Sequence, residues 1–157
     1  MVVYNHYYPD GNNQINTPDS AIRLMLEGPT VPVAVSLAQA HIDFLQQKGL
    51  PIPPPVPGLG LIDTGATFCS IDETVIQRLG IPPYGSADII GVAGPSQRLT
   101  YPASLSFPGT PLSSVTFVDF HGADLSKAGI IAIIGRNVLK GFVLVYNGPG
   151  GHVSLSY

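Results

Sequence analysis

The chain is poor in cysteine and in charge, and each scarcity excludes a class of protein. A single cysteine, Cys69, among 157 residues rules out an internal disulfide and any zinc site built from several cysteines. Seven Lys and Arg against ten acidic residues give a formal net charge of -3 and no basic stripe, so nucleic acid is not an expected partner. The four histidines show no metal-ligand spacing, so we expect no metal and no other cofactor.

Long apolar runs are missing as well. The longest, from 129 to 135, is far shorter than the roughly 20 residues of a membrane-spanning helix. The first residues lack the basic flank and apolar run of a secretory signal. The sequence therefore predicts no membrane partner and a cytoplasmic location.

Glycine and proline are abundant, with 18 and 16 residues, and they predict the architecture. Frequent turns between short alternating apolar runs are typical of an all-β domain with little helix. We expect one domain over residues 21–157, preceded by a polar and flexible leader at 1–20. Strands are predicted at 21–27 and 31–36. An insert at 37–57 is predicted to hold a short helix followed by a stiff proline-rich connector.

The segment with the most chemical content is Leu61-Ile62-Asp63-Thr64-Gly65-Ala66. Two apolar residues lead into an aspartate, a hydroxyl residue and a glycine, which is the pattern of an aspartic protease half-site. Such a site needs two carboxylates that share one proton. The pattern occurs once in this chain, so the second carboxylate would have to come from a second copy. An alternative is that Asp63 is only a turn residue, because Asp-Thr-Gly suits a turn.

Three further segments surround this pattern along the chain. Ser70 and Glu73 fit a capping box that opens a helix ending before Gly80. A glycine-rich β-hairpin is predicted between 87 and 101. Farther on, an apolar run leads into Gly135 and Arg136 within the segment Ile133-Ile134-Gly135-Arg136-Asn137-Val138-Leu139.

The order of these motifs, over roughly residues 55–142, resembles the retropepsin family of single-domain, dimeric aspartic proteases from retroviruses and their cellular and bacterial relatives. The resemblance implies a closed β-barrel-like acid protease fold with one or two short helices. It implies a homodimer that hydrolyses a peptide or protein substrate with water activated by Asp63 of both copies. Thr64, Gly65, Ala66 and Arg136 would support the active site. The substrate-binding flap would contain Ile90, Gly91, Val92, Ala93 and Gly94.

Each of these interpretations has an alternative. The chain could be a dimerisation or peptide-binding module of this fold without catalysis. The glycine-rich hairpin could be an ordinary loop, and Arg136 a surface charge. Retroviral members commonly have an aspartate where Thr67 stands, which leaves the partner of Arg136 open. Cys69 is more readily a buried core thiol than a nucleophile, since no cysteine protease signature surrounds it.

Overall fold

The computed structural model describes residues 1–91 and 94–157, and most of its regular structure is β-strand. The strands are β1 (Val3–Tyr7), β2 (Thr30–Leu37), β3 (Val56–Ile62), β4 (Ser70–Asp72), β5 (Gly85–Gly91), β6 (Gly94–Ser106), β7 (Val115–Ala123), β8 (Ala132–Ile134), β9 (Val143–Asn147) and β10 (His152–Ser156). The helices are α1 (Pro18–Glu27), α2 (Gln39–Gln47), α3 (Glu73–Leu79) and α4 (Arg136–Leu139). The predicted all-β class is confirmed. No described helix is both long and apolar enough to cross a membrane.

The strands form two sheets. The larger has the order β2-β3-β8-β4-β7-β6-β5, and β2 also pairs with β6, so six of its strands form a ring of pairings. Most neighbours are antiparallel, while β3 with β8 and β4 with β7 are parallel. The smaller sheet has the order β1-β10-β9. The apolar residues of β2 that the sequence placed on one face, Val31, Val33 and Val35, are all buried in the core.

The first residues differ from the predicted flexible leader. β1 pairs with β10 over its whole length, from Val3 opposite Ser156 to Tyr7 opposite His152. Tyr8 is buried, its hydroxyl donates to the carbonyl of Gly28 at 2.8 Å, and that hydroxyl accepts the N–H of Thr30 at 2.7 Å. The leader prediction is wrong here because the pairing partner of these residues lies some 150 positions away, where local composition gives no sign of it.

The predicted strand at 21–27 is also wrong, because this segment is helix α1. Thr17 caps the helix by accepting the N–H of Ser20 at 3.2 Å, and Pro18 occupies its first turn, where a missing N–H costs nothing. Arg23 and Glu27 form an ion pair one turn apart, at 2.8 Å. These local signals outweigh the apolar alternation that suggested a strand.

Helix α3 begins at a different cap from the one predicted. The side chain of Asp72, and not of Ser70, accepts the N–H of Thr74 at 2.9 Å, while Ser70 lies in strand β4. The other carboxylate oxygen of Asp72 accepts the N–H of Leu125 at 2.8 Å. Gly80 ends the helix with a positive φ of 64°.

The predicted helix of the insert is confirmed as α2. It lies in the connection between β2 and β3, which pair antiparallel with Val35 opposite Val56 and Thr30 opposite Leu61. The insert therefore joins the start of β3, and Asp63 follows the end of β3. Seven residues of strand, about 20 Å at the usual rise per residue, separate the two ends.

Candidate active site

Asp63 directly follows strand β3, at the point where β3 runs parallel to β8. Its backbone N–H donates to the carbonyl of Ile134 at 3.0 Å, which extends the pairing of these strands by one residue. The N–H of Ala66 then donates to the Asp63 carbonyl at 3.2 Å and closes a turn. The neighbouring strand thus fixes the position of the aspartate before any side chain contributes.

The Asp63 carboxylate is oriented from within its own turn. The N–H of Gly65 donates to Oδ1 of Asp63 at 2.8 Å, a contact typical of aspartates in turns. A Cβ atom at residue 65 would lie 3.0 Å from that same oxygen, closer than an ordinary contact. A glycine at this position therefore leaves the half-buried carboxylate room for its hydrogen bond.

Arg136 holds the far side of the turn. Its Nη1 donates to the carbonyls of Thr64 at 2.7 Å and Gly65 at 3.0 Å, and its Nη2 donates to the hydroxyl of Thr67 at 2.8 Å. The planar guanidinium suits such a set of converging acceptors. Thr67 therefore supplies the side-chain partner of Arg136, and its place four residues after Asp63 was the one signal of this role in the sequence.

Gly135 lies where the segment before α4 crosses the loop after Asp63. A Cβ atom at Gly135 would lie 2.6 Å from both the carbonyl carbon and the oxygen of Phe68. The backbone then runs alongside the loop, since Arg136 N–H donates to Ala66 O at 2.9 Å and Asn137 N–H donates to Thr67 O at 3.0 Å. Only glycine fits this crossing without displacing the loop.

Cys69 is buried beneath the same crossing. Its sulfur accepts the N–H of Gly135 at 3.3 Å, and its thiol donates to Oδ1 of Asn137 at 3.1 Å. Burial raises the pKa of the Cys69 thiol to about 11. A thiol that stays protonated at neutral pH is a poor nucleophile. This agrees with the interpretation of Cys69 as a buried core thiol. Sequence analysis did not single out Asn137, whose amide also accepts the N–H of Val138.

The hairpin predicted to cover the site is formed by β5 and β6. These strands pair from Gly85 opposite Thr100 to Gly91 opposite Gly94. Ile90 is 90% exposed near the tip. Val92 and Ala93, which the sequence also placed in the flap, lie outside the described residues.

One chain contributes a single carboxylate to this turn. Among residues 1–91 and 94–157, the Asp63 side chain hydrogen bonds only with Gly65 and forms no ion pair. Asp72, the buried aspartate on β4, caps α3 with one carboxylate oxygen and accepts the N–H of Leu125 with the other. No group of three or more potential metal ligands occurs in the described part of the chain.

An open groove borders the turn on the side of Thr64. Its volume is about 320 Å³, and it is lined by Thr64, Arg136, Leu139, Lys140 and Leu144. Leu144 belongs to β9 of the smaller sheet, so the groove links that sheet to the aspartate turn.

No protein-family model and no curated protein matches the chain. Among solved structures, it is similar to EIAV protease complexed with the inhibitor HBY-793, at 21% identity and a TM-score of 0.48 over 72% of this chain and 86% of that one. It is also similar to a retropepsin-like aspartic protease from Rickettsia conorii, at 13% identity and a TM-score of 0.45 over 99% of this chain and 92% of that one. At these values the likenesses concern fold and say nothing about activity. In its sequence motifs and in its structural neighbours, the chain resembles the retropepsin-like aspartic proteases.

Proposed function

We propose that the protein is an aspartic endopeptidase that works as a homodimer, in which Asp63 of each copy supplies one carboxylate of a shared pair. The observation that carries this proposal is the Asp63 carboxylate itself. It is half-buried and oriented by the N–H of Gly65 at 2.8 Å. The turn that carries it is held by hydrogen bonds from Arg136 to the carbonyls of Thr64 and Gly65. Turn aspartates commonly accept an N–H in this way, so the feature beyond an ordinary turn is the support that Arg136 gives to the turn.

The chemistry follows from bringing two such carboxylates together. At contact distance they cannot both ionise, so the pair holds one proton. The ionised member accepts a proton from a water molecule as the water oxygen attacks the peptide carbonyl carbon. The protonated member donates its proton to the carbonyl oxygen, and the resulting tetrahedral intermediate breaks its C–N bond as the leaving nitrogen takes up a proton. The shared proton belongs to the pair and to neither residue alone.

The neighbouring residues take supporting roles in this proposal. Thr64, Gly65 and Ala66 shape the turn, and Thr64 would meet its counterpart across the dimer axis. Arg136 is a positioning residue, because its contacts are with the turn and not with the carboxylate.

The β5–β6 hairpin, whose predicted flap contains Ile90, Gly91, Val92, Ala93 and Gly94, would close over an extended peptide or protein segment and exclude water. Such a segment would pair through its backbone like an added strand, so side-chain pockets would set the preference. The α2 insert joins β3 at the end away from Asp63, which supports an open cleft.

The test is cleavage of an unstructured protein such as β-casein between pH 3 and 7, with wild type and Asp63→Asn. We expect the variant to lose at least about 100-fold in rate, because it removes the general acid and base together. Asp43→Asn, an exposed aspartate on α2, is the matched control and should cleave like wild type. A statine-type transition-state mimic should inhibit wild type.

Equal cleavage by wild type and Asp63→Asn would refute the proposal. A folded wild type that binds the statine compound but cleaves nothing under any of these conditions would favour the non-catalytic peptide-binding alternative.

A further inference from the structure

The proline-rich segment, residues 51–57, leads from α2 into β3, and its own composition restricts its backbone. Five of its seven residues are proline, and the other two, Ile52 and Val56, each precede a proline. A proline fixes its own φ and biases the residue before it toward extended backbone, and the peptide bonds of this segment are trans. These restrictions favour a polyproline II helix, which has three residues per turn and rises about 3.1 Å per residue.

Burial along the segment follows this period of three. Pro53 is half-buried, and Val56, one turn later, is buried in the core. The residues at the other two positions of each turn are exposed: Pro51, Ile52, Pro54 and Pro55. One edge of the polyproline II helix therefore lies against the domain, and the other two edges form an outer face. This outer face carries two pairs of apolar residues, Pro51-Ile52 and Pro54-Pro55, about 9 Å apart.

Stiffness of the connection explains the prolines but not the rest of this surface. Leu50 and Ile52 are 50% and 41% exposed beside the prolines, and exposed side chains do not stiffen a connector. Lys48 is the only charged residue between positions 44 and 62. Within the described residues it forms no ion pair, and its ammonium lies 5.9 Å from the centroid of the Phe44 ring. The outer face is thus an apolar surface that begins at one cation, and such surfaces mark interaction sites.

The backbone of the segment limits how a partner can bind it. Proline has no N–H, so five of the seven residues cannot donate to a neighbouring strand. The segment therefore cannot be bound as a strand added to a sheet edge, either of another protein or of a second copy. Recognition must use side chains, and the known way to read such a helix is a groove lined by aromatic residues.

We propose that the outer face is the ligand of a protein domain that binds polyproline II helices in an aromatic-lined groove, with an acidic side chain at the end of the groove that pairs with Lys48. The two apolar pairs fill two successive pockets of the groove. Because the prolines set the backbone before binding, little conformational entropy is lost when the complex forms.

This site is separate from the aspartate turn. The proline-rich segment joins the start of β3, and Asp63 follows the end of β3, about 20 Å away at the usual rise per residue. A bound domain therefore leaves the Asp63 turn free and holds whatever is attached to it close to that turn. The inference goes beyond the proposed function and does not depend on it.

The test is a fluorescence titration with three recombinant domains, an SH3, a WW and an EVH1 domain, each chosen with a tryptophan in its groove and an acidic residue beside it. The chain contains no tryptophan, so tryptophan fluorescence reports only on the added domain. Wild type should change the fluorescence of at least one domain in a saturable way. The double variant Pro51→Ala, Pro54→Ala should weaken this binding at least about 10-fold. The matched control is Pro82→Ala, Pro83→Ala, two exposed prolines elsewhere, which should bind like wild type.

Two single variants test side chains without relaxing the backbone. Ile52→Ala should weaken binding about 5-fold, whereas Ile15→Ala, with a similar exposure of 47%, should not. Lys48→Gln should weaken binding about 2-fold to 5-fold at low salt and by less at high salt. Lys127→Gln, another exposed lysine, should bind like wild type. Melting temperatures of all variants show whether each one is folded.

The inference is overturned if none of the three domains binds wild type, or if the folded Pro51→Ala, Pro54→Ala variant binds like wild type. If that variant does not fold, unchanged binding by Ile52→Ala overturns it. Asp63→Asn should bind like wild type, and loss of binding in this variant would place the domain at the aspartate turn instead. Absence of binding together with loss of cleavage in Asp63→Asn would overturn this inference and leave the proposed function standing. Equal cleavage by wild type and Asp63→Asn with binding at the outer face would do the reverse.

Discussion

Gly135→Ala should disrupt the crossing that supports the aspartate turn. The added Cβ atom would lie 2.6 Å from the backbone of Phe68 and 3.1 Å from the carbonyl oxygen of Ala66, whereas ordinary contact begins at 3.4 Å. The two segments must therefore separate by about 0.8 Å, and no flexible side chain can absorb this shift because the contacted atoms are backbone. Overpacking of this kind costs about 1 to 3 kcal/mol.

The same displacement weakens two hydrogen bonds. Gly135 N–H donates to the sulfur of Cys69 at 3.3 Å, and Arg136 N–H donates to Ala66 O at 2.9 Å. Each contributes about 0.5 to 1.5 kcal/mol, so the total loss is about 2 to 6 kcal/mol. For a chain of 157 residues, this lowers the melting temperature by roughly 4 to 24 °C.

Thermal unfolding followed by circular dichroism measures this effect, with Gly141→Ala as the matched control. A Cβ atom at Gly141 would meet Val138 O at an ordinary 3.7 Å, so the control should stay within about 0.5 kcal/mol of wild type. Cleavage by Gly135→Ala should also fall, because the displaced loop carries the Asp63 turn. Equal melting temperatures for the two alanine variants would refute the steric argument.

Three further outcomes are expected. Burial alone would raise the pKa of Asp72, but hydrogen bonds from Thr74 and Leu125 outweigh it and lower that pKa below 3.8. The stability that Asp72 contributes is therefore present above pH 3.8 and lost as the pH falls through the pKa of the folded state. In urea unfolding between pH 2 and 6, the free energy of unfolding of Asp72→Asn should fall less steeply toward acid pH than that of wild type. Cys69 should resist iodoacetamide at pH 8 in the native state and react once urea unfolds the chain, since burial raises its pKa to about 11; rapid native labelling with loss of cleavage would contradict this. Arg136→Lys should lower stability by about 1 to 2 kcal/mol and reduce cleavage, because an ammonium cannot reach three converging acceptors at once, while the exposed Arg78→Lys should change neither quantity.

Local patterns predict much of the strand content, and their two failures have different causes. The alternating valines of β2, the helix in the insert and the strands around the glycine-rich hairpin follow from periodicity and turn residues. Apolar spacing predicts a strand at 21–27, whereas Thr17 and Pro18 are local signals for the helix that forms there. β1 was missed because its partner β10 lies at the other end of the chain, and no local pattern encodes such a pairing.

The sequence by itself determined the chemistry that one chain can offer. It has one Asp-Thr-Gly turn, one apolar run leading into Gly135 and Arg136, and a single cysteine. Only the tertiary structure decided how these parts meet. Gly135 crosses the loop where a Cβ atom cannot fit, Arg136 reaches back to Thr64, Gly65 and Thr67, and the proline-rich segment leaves its outer face exposed. Contacts between residues some 70 positions apart depend on strand pairing and close packing, which act through space and leave no mark on neighbouring residues in the sequence.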